Sequence, residues 1–222
     1  MYMSAVPVSD IDFQMCKGCF ACISKGEKYC PIKDNRESIE EELLLADGII
    51  LNSPGYALNV SGLMKNFIDR FAYSLHRPKF FKQSLMLVAN GGSGVEKAIK
   101  ALSLTLGGSN KVCELAIIAT PWEMTKEYSD KVTKDIKQSS KKLYESMANR
   151  KTRSPELNNV IWFSIFKKMA SISKETLPAD HEYYSEKEKY FFETKVNPFK
   201  SWVARQIASI AVWSLKKKVV FR

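Results

Sequence analysis

Between residues 38 and 150 the spacing of apolar side chains alternates between two periods. Three short apolar runs end in turn or polar residues: Asp47-Gly-Ile-Ile-Leu-Asn, Ser84-Leu-Met-Leu-Val-Ala and Val112-Cys-Glu-Leu-Ala-Ile-Ile. Runs of this length predict buried parallel strands. Between them the period lengthens to that of a helix. Ser38-Ile-Glu-Glu-Glu-Leu-Leu-Leu opens with a capping residue and an acidic first turn. Residues 61–75 repeat apolar positions at Leu63, Met64, Phe67, Phe71 and Leu75, and residues 95–106 do so at Val95, Ala98, Ile99, Leu102 and Leu106. A charged helix is expected over 127–149. Strands alternating with helices predict an α/β fold, a parallel sheet covered on both faces, over residues 1–150.

At Arg153-Ser-Pro the pattern changes. Helical stretches are expected near 156–173, 184–194 and 198–218, so residues 151–222 read as a helical C-terminal extension. The last stretch carries Phe199, Trp202, Val203, Ile207, Ile210 and Trp213 and ends in Lys216-Lys-Lys. Amphipathic helices usually bury their stripe in protein, so packing on the core or across a dimer is the leading reading. Contact with a membrane surface is the second.

Charge sharpens that picture. The net charge is +10, and residues 151–222 hold fourteen Lys and Arg against seven Asp and Glu, so most of the excess lies in the extension. A solvated helical face explains it, and an acidic partner or anionic membrane surface is the alternative. No nucleic-acid motif accompanies the charge. No run of about 18 apolar residues reads as a membrane span. Residues 1–15 lack the basic start and apolar run of a signal peptide, which leaves the cytoplasm as the expected location.

Four of the five cysteines fall within fifteen residues: Cys16, Cys19, Cys22 and Cys30, spaced C-x2-C-x2-C-x7-C with Pro31 after the last. Two-residue gaps let neighbouring thiolates turn toward one centre, and three from one loop plus a fourth match a cubane cluster. Gly18 and Gly26 ease the turns. A Zn(Cys)4 site, a CxxC redox pair and a loop that binds nothing are competing readings. Cys113, in a strand, reads as a small core residue. His76 and His181 have no motif around them and read as structural.

In open parallel sheets ligands sit beyond the carboxyl ends of the strands. Two segments leave such ends. Ser53-Pro54-Gly55-Tyr56-Ala57-Leu58-Asn59 offers a rigid turn, an aromatic plane and polar groups, as a flat heteroaromatic ring requires. Asn90-Gly91-Gly92-Ser93-Gly94 opens a helix whose N-terminus favours electron-rich atoms. Either alone is ordinary turn chemistry. Their coincidence behind the cysteines is more specific.

These motifs, with Ile32-Lys-Asp-Asn, Ala46-Asp-Gly-Ile-Ile and Val60-Ser-Gly-Leu-Met-Lys-Asn-Phe-Ile-Asp-Arg70, resemble the iron–sulfur flavoproteins. Those belong with the NADPH-dependent FMN reductase-like proteins of the flavodoxin-like superfamily. The resemblance covers roughly residues 8–120. It implies a five-stranded parallel sheet in a three-layer flavodoxin-like fold, FMN as cofactor, NAD(P)H as electron donor, a small redox substrate or electron-carrier partner, and dimers or tetramers. It also implies a [4Fe–4S] cluster on Cys16, Cys19, Cys22 and Cys30, and flavin-ring contacts from Ser53 to Asn59 and Asn90 to Gly94. The resemblance further implies that Ala5-Val-Pro-Val-Ser-Asp-Ile is the second strand of the family fold, so that the first strand and its phosphate loop are expected to be missing and residues 1–150 to be an N-terminally truncated flavodoxin-like domain. Gly55 departs from the branched aliphatic residue common at its position. The alternative function is a non-catalytic, flavodoxin-like remnant or zinc-binding interaction protein.

Overall fold

A computed structural model describes residues 4–149 and 155–221. In chain order these form helices α1 (Ala21–Ser24) and α2 (Arg36–Leu45), strands β1 (Gly48–Tyr56) and β2 (Asn59–Val60), and helices α3 (Gly62–Arg70) and α4 (Tyr73–His76). Strand β3 (Ser84–Gly91), helix α5 (Val95–Leu102), strand β4 (Asn110–Ile118) and helix α6 (Lys126–Asn149) follow, then α7 (Leu157–Ser171), α8 (Pro178–Ser185) and α9 (Pro198–Lys216). Two compact units emerge: Met1–Gly18 with Ile32–Lys151, and Cys19–Pro31 with Thr152–Arg222. The composition change at Arg153 and Ser154, and the expected division at 150, lie outside the described residues.

The first unit is built on a sheet of order β2-β1-β3-β4. β1, β3 and β4 are parallel, while β2 folds back antiparallel on the end of β1, pairing Gly55 with Val60 and Tyr56 with Asn59. Side chains alternate across the sheet. Leu85, Leu87 and Ala89 point to one face and are fully buried. Met86 points to the other and packs with Leu115 and Leu143 of α6, joined by Val88, Cys113 and Met147. Val112 is the extra residue of a bulge between the Leu85–Lys111 and Met86–Cys113 pairs, which turns both Val112 and Cys113 toward that cluster. The expected α/β architecture is therefore present. Among the described residues the sheet has four strands, the fourth being the two-residue β2 and not Ala5–Ile11. Beside Gly48–Pro54 of β1 it has a partner on the β3 side alone, and Ile50 and Asn52 are exposed.

Several boundaries differ from expectation. Ala5–Ile11 is not a strand: it is extended chain around a 3-10 turn at Val8–Asp10. Pro7 has no N–H for a ladder and accepts a bond from the Asp10 N–H instead. α2 starts two residues before Ser38, after Asn35, because the Asp34 carboxylate accepts the Arg36 N–H at 3.2 Å. The helix expected over 61–75 breaks at Phe71 and Ala72. The helix expected over 184–194 lies earlier, at Pro178–Ser185, with Pro178 supplying its first turn. Residues 186–194 instead feed Tyr190 and Phe191 into an aromatic cluster around Phe163 and Tyr184. Burying one such ring is worth about 1.5–3 kcal/mol, more than the helix propensity of so short a segment.

In the second unit α9 does not turn its aromatic stripe toward the core, one of the two packings expected for it. Asn197 caps the helix, accepting from the Phe199 and Lys200 N–H groups, with Pro198 in the first turn. Its buried side is not the aromatic stripe but Ala204, Ala208 and Val212, and α9 packs there on α7. Small side chains allow two helix axes to approach closely, which large rings would prevent. No helix among the described residues is long and apolar enough to cross a membrane.

Candidate functional site

The segment expected to be an open loop after β1 is a tight hairpin. Tyr56 and Asn59 pair across it, and the two central residues, Ala57 and Leu58, have φ of 49° and 60°. That is the backbone of a turn that favours Asn and Gly, held here by non-glycine residues. The Asn59 side chain accepts the Val60 N–H at 2.9 Å, and Ser53 Oγ accepts the Ser61 N–H at 3.1 Å, so both ends of the hairpin are tied down. Tyr56 projects from it, 65% exposed.

The second segment lies directly against the first. A Cβ added at Gly91 would stand 3.1 Å from the Gly55 carbonyl oxygen, and one at Gly94 would stand 2.8 Å from the Leu58 Cα. Gly94 also needs φ of 70° to cap α5. Glycine at these two positions therefore lets the two strand ends touch. Gly55 is less constrained: an added Cβ would meet Asn90 and Ser93 carbonyls at 3.6–3.7 Å, ordinary contact. Gly92 and Ser93 are exposed beside the hairpin. The structure thus brings together Ser53–Asn59 and Asn90–Gly94, with an aromatic ring, glycine backbone and the positive end of α5 at one edge of the sheet.

The cysteine segment is held differently. Phe13 stacks on Phe67 and Phe71 of α3. Asn66, buried in α3, donates to the Phe13 and Gln14 carbonyls and accepts the Cys16 N–H at 2.8 Å. The Gln14 N–H donates to Asp34, whose carboxylate is paired with Arg70 in a fully buried ion pair. Asp69 pairs with Lys65 one turn earlier. Sequence reasoning missed Asn66 and Asp34. The signal available was two polar residues beside apolar helix positions, which reads equally well as surface. Cys22 lies in α1, and Cys30 follows the 3-10 turn Glu27–Tyr29. Gly18, Phe20 and Gly26 have positive φ, the turns a wrapping loop requires. All five cysteines are thiols. No group of three His, Cys, Asp or Glu side chains among the described residues is disposed to hold a metal ion. Metal binding and the arrangement of its ligands are coupled, because the ligating thiols lose their protons only as the metal binds.

Cys113 and His181 each make a contact with a backbone carbonyl. Burial pushes the Cys113 thiol up, and it donates to the Ser139 carbonyl at 3.5 Å. His181 Nδ1 lies 3.0 Å from the Ala170 carbonyl, joining α8 to α7. A shallow hollow of about 50 Å³ beside β4 is lined by Leu115, Ile117, Tyr128 and Val132 and by neither strand-end segment.

Residues 5–119 match the profile of the NADPH-dependent FMN reductase family. The chain belongs to that family. An iron-sulfur flavoprotein of Archaeoglobus fulgidus is 35% identical over 96 residues, 42% of this chain and 43% of that protein. One from Clostridioides difficile is 29% identical over 157 residues, 70% of this chain and 68% of that protein. The chain thus spans less than half the length of the Archaeoglobus relative. Among solved structures, the Trp repressor binding protein of Bacillus subtilis superposes with a TM-score of 0.35 at 20% identity over 51% of this chain and 71% of its own. Within the family match lie the cysteine motif and both strand-end segments. The C-terminal helices α7, α8 and α9 lie beyond it.

Proposed function

We propose that this chain is an FMN-dependent oxidoreductase with NAD(P)H as its electron donor, and that the flavin ring sits on the joined tips of β1 and β3. The observation that carries the reading is the close approach of Gly91 to Gly55 and of Gly94 to Leu58. It makes one platform of two segments, with the exposed Tyr56 ring beside exposed glycine backbone. When bound, FMN supplies a centre that takes up electrons from a reduced donor and hands them on. The protein's part is placement and electrostatics. Tyr56 offers a face for packing, the hairpin sets its position, and the α5 N-terminus favours developing negative charge nearby. Asn59 and Asn90 are the polar side chains at the rim; Ser53 is fully buried beneath it, and both Ser53 and Asn59 are engaged in holding the hairpin. The second cofactor of the reading, a [4Fe–4S] cluster on Cys16, Cys19, Cys22 and Cys30, is supported by the spacing of the motif and by the names of the relatives. No group of three ligating side chains among the described residues is disposed to hold a metal ion, and no step is assigned to the cluster.

FMN titration of the full chain, followed by quenching of flavin fluorescence, tests the reading. Binding is expected, and Tyr56→Ala is expected to weaken it about tenfold, the loss of one stacking face, without altering the circular dichroism spectrum. A wild-type chain that leaves flavin fluorescence unchanged ends the proposal. Metal analysis after anaerobic purification tests the cluster: iron with acid-labile sulfide supports it, whereas zinc without iron or flavin establishes the non-catalytic alternative.

A further inference from the structure

α9 carries its apolar surface on the wrong side for a helix of a soluble core. Ala204, Ala208 and Val212, spaced by four, are buried. Directly opposite runs Phe199, Trp202, Gln206, Ile210, Trp213 and Lys217, one continuous stripe at helical spacing. Its large residues are open to solvent: Phe199 is 70%, Trp202 54%, Ile210 66% and Trp213 60% exposed. The ring of Trp202 stacks on Phe199 at 6.1 Å, and the Lys217 ammonium stands 3.4 Å over Trp213. Leaving three aromatic rings in water forgoes the stabilisation that burying them would give. Exposed apolar surface of this continuity marks an interaction site.

Charge selects the partner. From residue 194 to 222 there are seven Lys and Arg and no Asp or Glu. Arg205 and Lys216 flank the stripe on one side and Lys218 on the other, by their helical phase. The helix is not apolar enough to span a bilayer. Two copies facing each other through this stripe would find no acid in the segment to offset its cations. We propose that the outer face of α9 docks the chain on an anionic lipid surface, with Phe199, Trp202, Ile210 and Trp213 entering the headgroup boundary. Lys216, Lys217 and Lys218 then meet the lipid phosphates. The reading does not depend on FMN binding, because α9 lies outside the segments assigned to the flavin.

Co-sedimentation of the full chain with vesicles tests it. The chain is expected to pellet with mixed phosphatidylglycerol–phosphatidylcholine vesicles and to stay in solution with phosphatidylcholine alone. Trp202→Gln/Trp213→Gln and, separately, Lys216→Gln/Lys217→Gln/Lys218→Gln should each lower vesicle affinity about tenfold or more. In the wild type, brominated lipid in the anionic vesicles should quench tryptophan emission, a readout independent of the variants. Failure to pellet with anionic vesicles at low salt overturns the proposal, as does equal binding to neutral vesicles. A concentration-dependent dimer abolished by Trp202→Gln/Trp213→Gln also overturns it, since the stripe would then be an interface between copies.

Discussion

At the scale of single residues, glycine decides whether the two strand ends meet. Gly94 combines a left-handed backbone with a Leu58 Cα where its own Cβ would stand. Gly94→Ala therefore carries both a conformational cost and a steric one, about 2 kcal/mol or more together. Gly92 has neither, its added Cβ lying 3.7 Å from a Thr120 methyl. Urea unfolding should show Gly94→Ala destabilised and Gly92→Ala within about 0.5 kcal/mol of wild type. Equal losses at the two positions would contradict the packing described. Tyr190 makes a second residue-scale prediction. Burial, with Glu156 nearby, pushes its phenol up from 10.0 to about 12. Between those values the native state keeps a proton that the unfolded state has lost, so stability falls as pH rises. The contribution is fully present below pH 10.0 and is lost by about pH 12, on the order of 2 kcal/mol in all. In Tyr190→Phe this part of the alkaline loss should vanish, seen as a shallower fall of the unfolding midpoint across that window.

At the scale of elements, α3 does more than cover the sheet. Through Asn66, and through Arg70 on Asp34, it fixes the chain leading into the cysteine motif. Removing a charge that faces a buried guanidinium costs more than removing a neutral hydrogen-bond group. Asp34→Asn should destabilise by about 3 kcal/mol and Asn66→Ala by about 1–2 kcal/mol, measured by urea unfolding. Alkylation of Cys16 should quicken in Asn66→Ala, because its N–H loses its acceptor. A reversed ranking of the two variants would show that the ion pair does not anchor the segment. α9 illustrates the same scale from the other side. A helix has two long faces, and the small one was chosen for packing.

At the scale of the whole molecule, the charge is unevenly distributed. The C-terminal third holds most of the +10 excess, and the last 29 residues hold cations alone. Attraction between those cations and anionic lipid is screened by salt, whereas stacking on Tyr56 is not. Raising the salt from low ionic strength to about 0.5 M, where screening reaches only a few Å, should release the chain from anionic vesicles and leave its FMN titration nearly unchanged. Parallel losses in both would show that the two activities are not separate.

Sequence alone determined the alternation of β1, α3, β3, α5 and β4, since period and turn residues are local and each element satisfies its own backbone. It also singled out the cysteine motif and both strand-end segments, whose residue types are unusual at those spacings. Partner choice was beyond it. The spacing of Phe199, Trp202 and Trp213 says that they share a face but not whether another element covers it, and the structure covers the alanine side instead. Likewise Ala5–Ile11 has the composition of a strand without a ladder to join, and the aromatic residues at 190–192 exchanged a helix for a shared cluster. The closeness of Gly91 to Gly55 and of Asp34 to Arg70 arises from residues 36 apart in each case, a distance along the chain that no local period encodes. Packing decided these matters, because an apolar or charged side chain is stabilised by whichever surface tertiary folding brings against it.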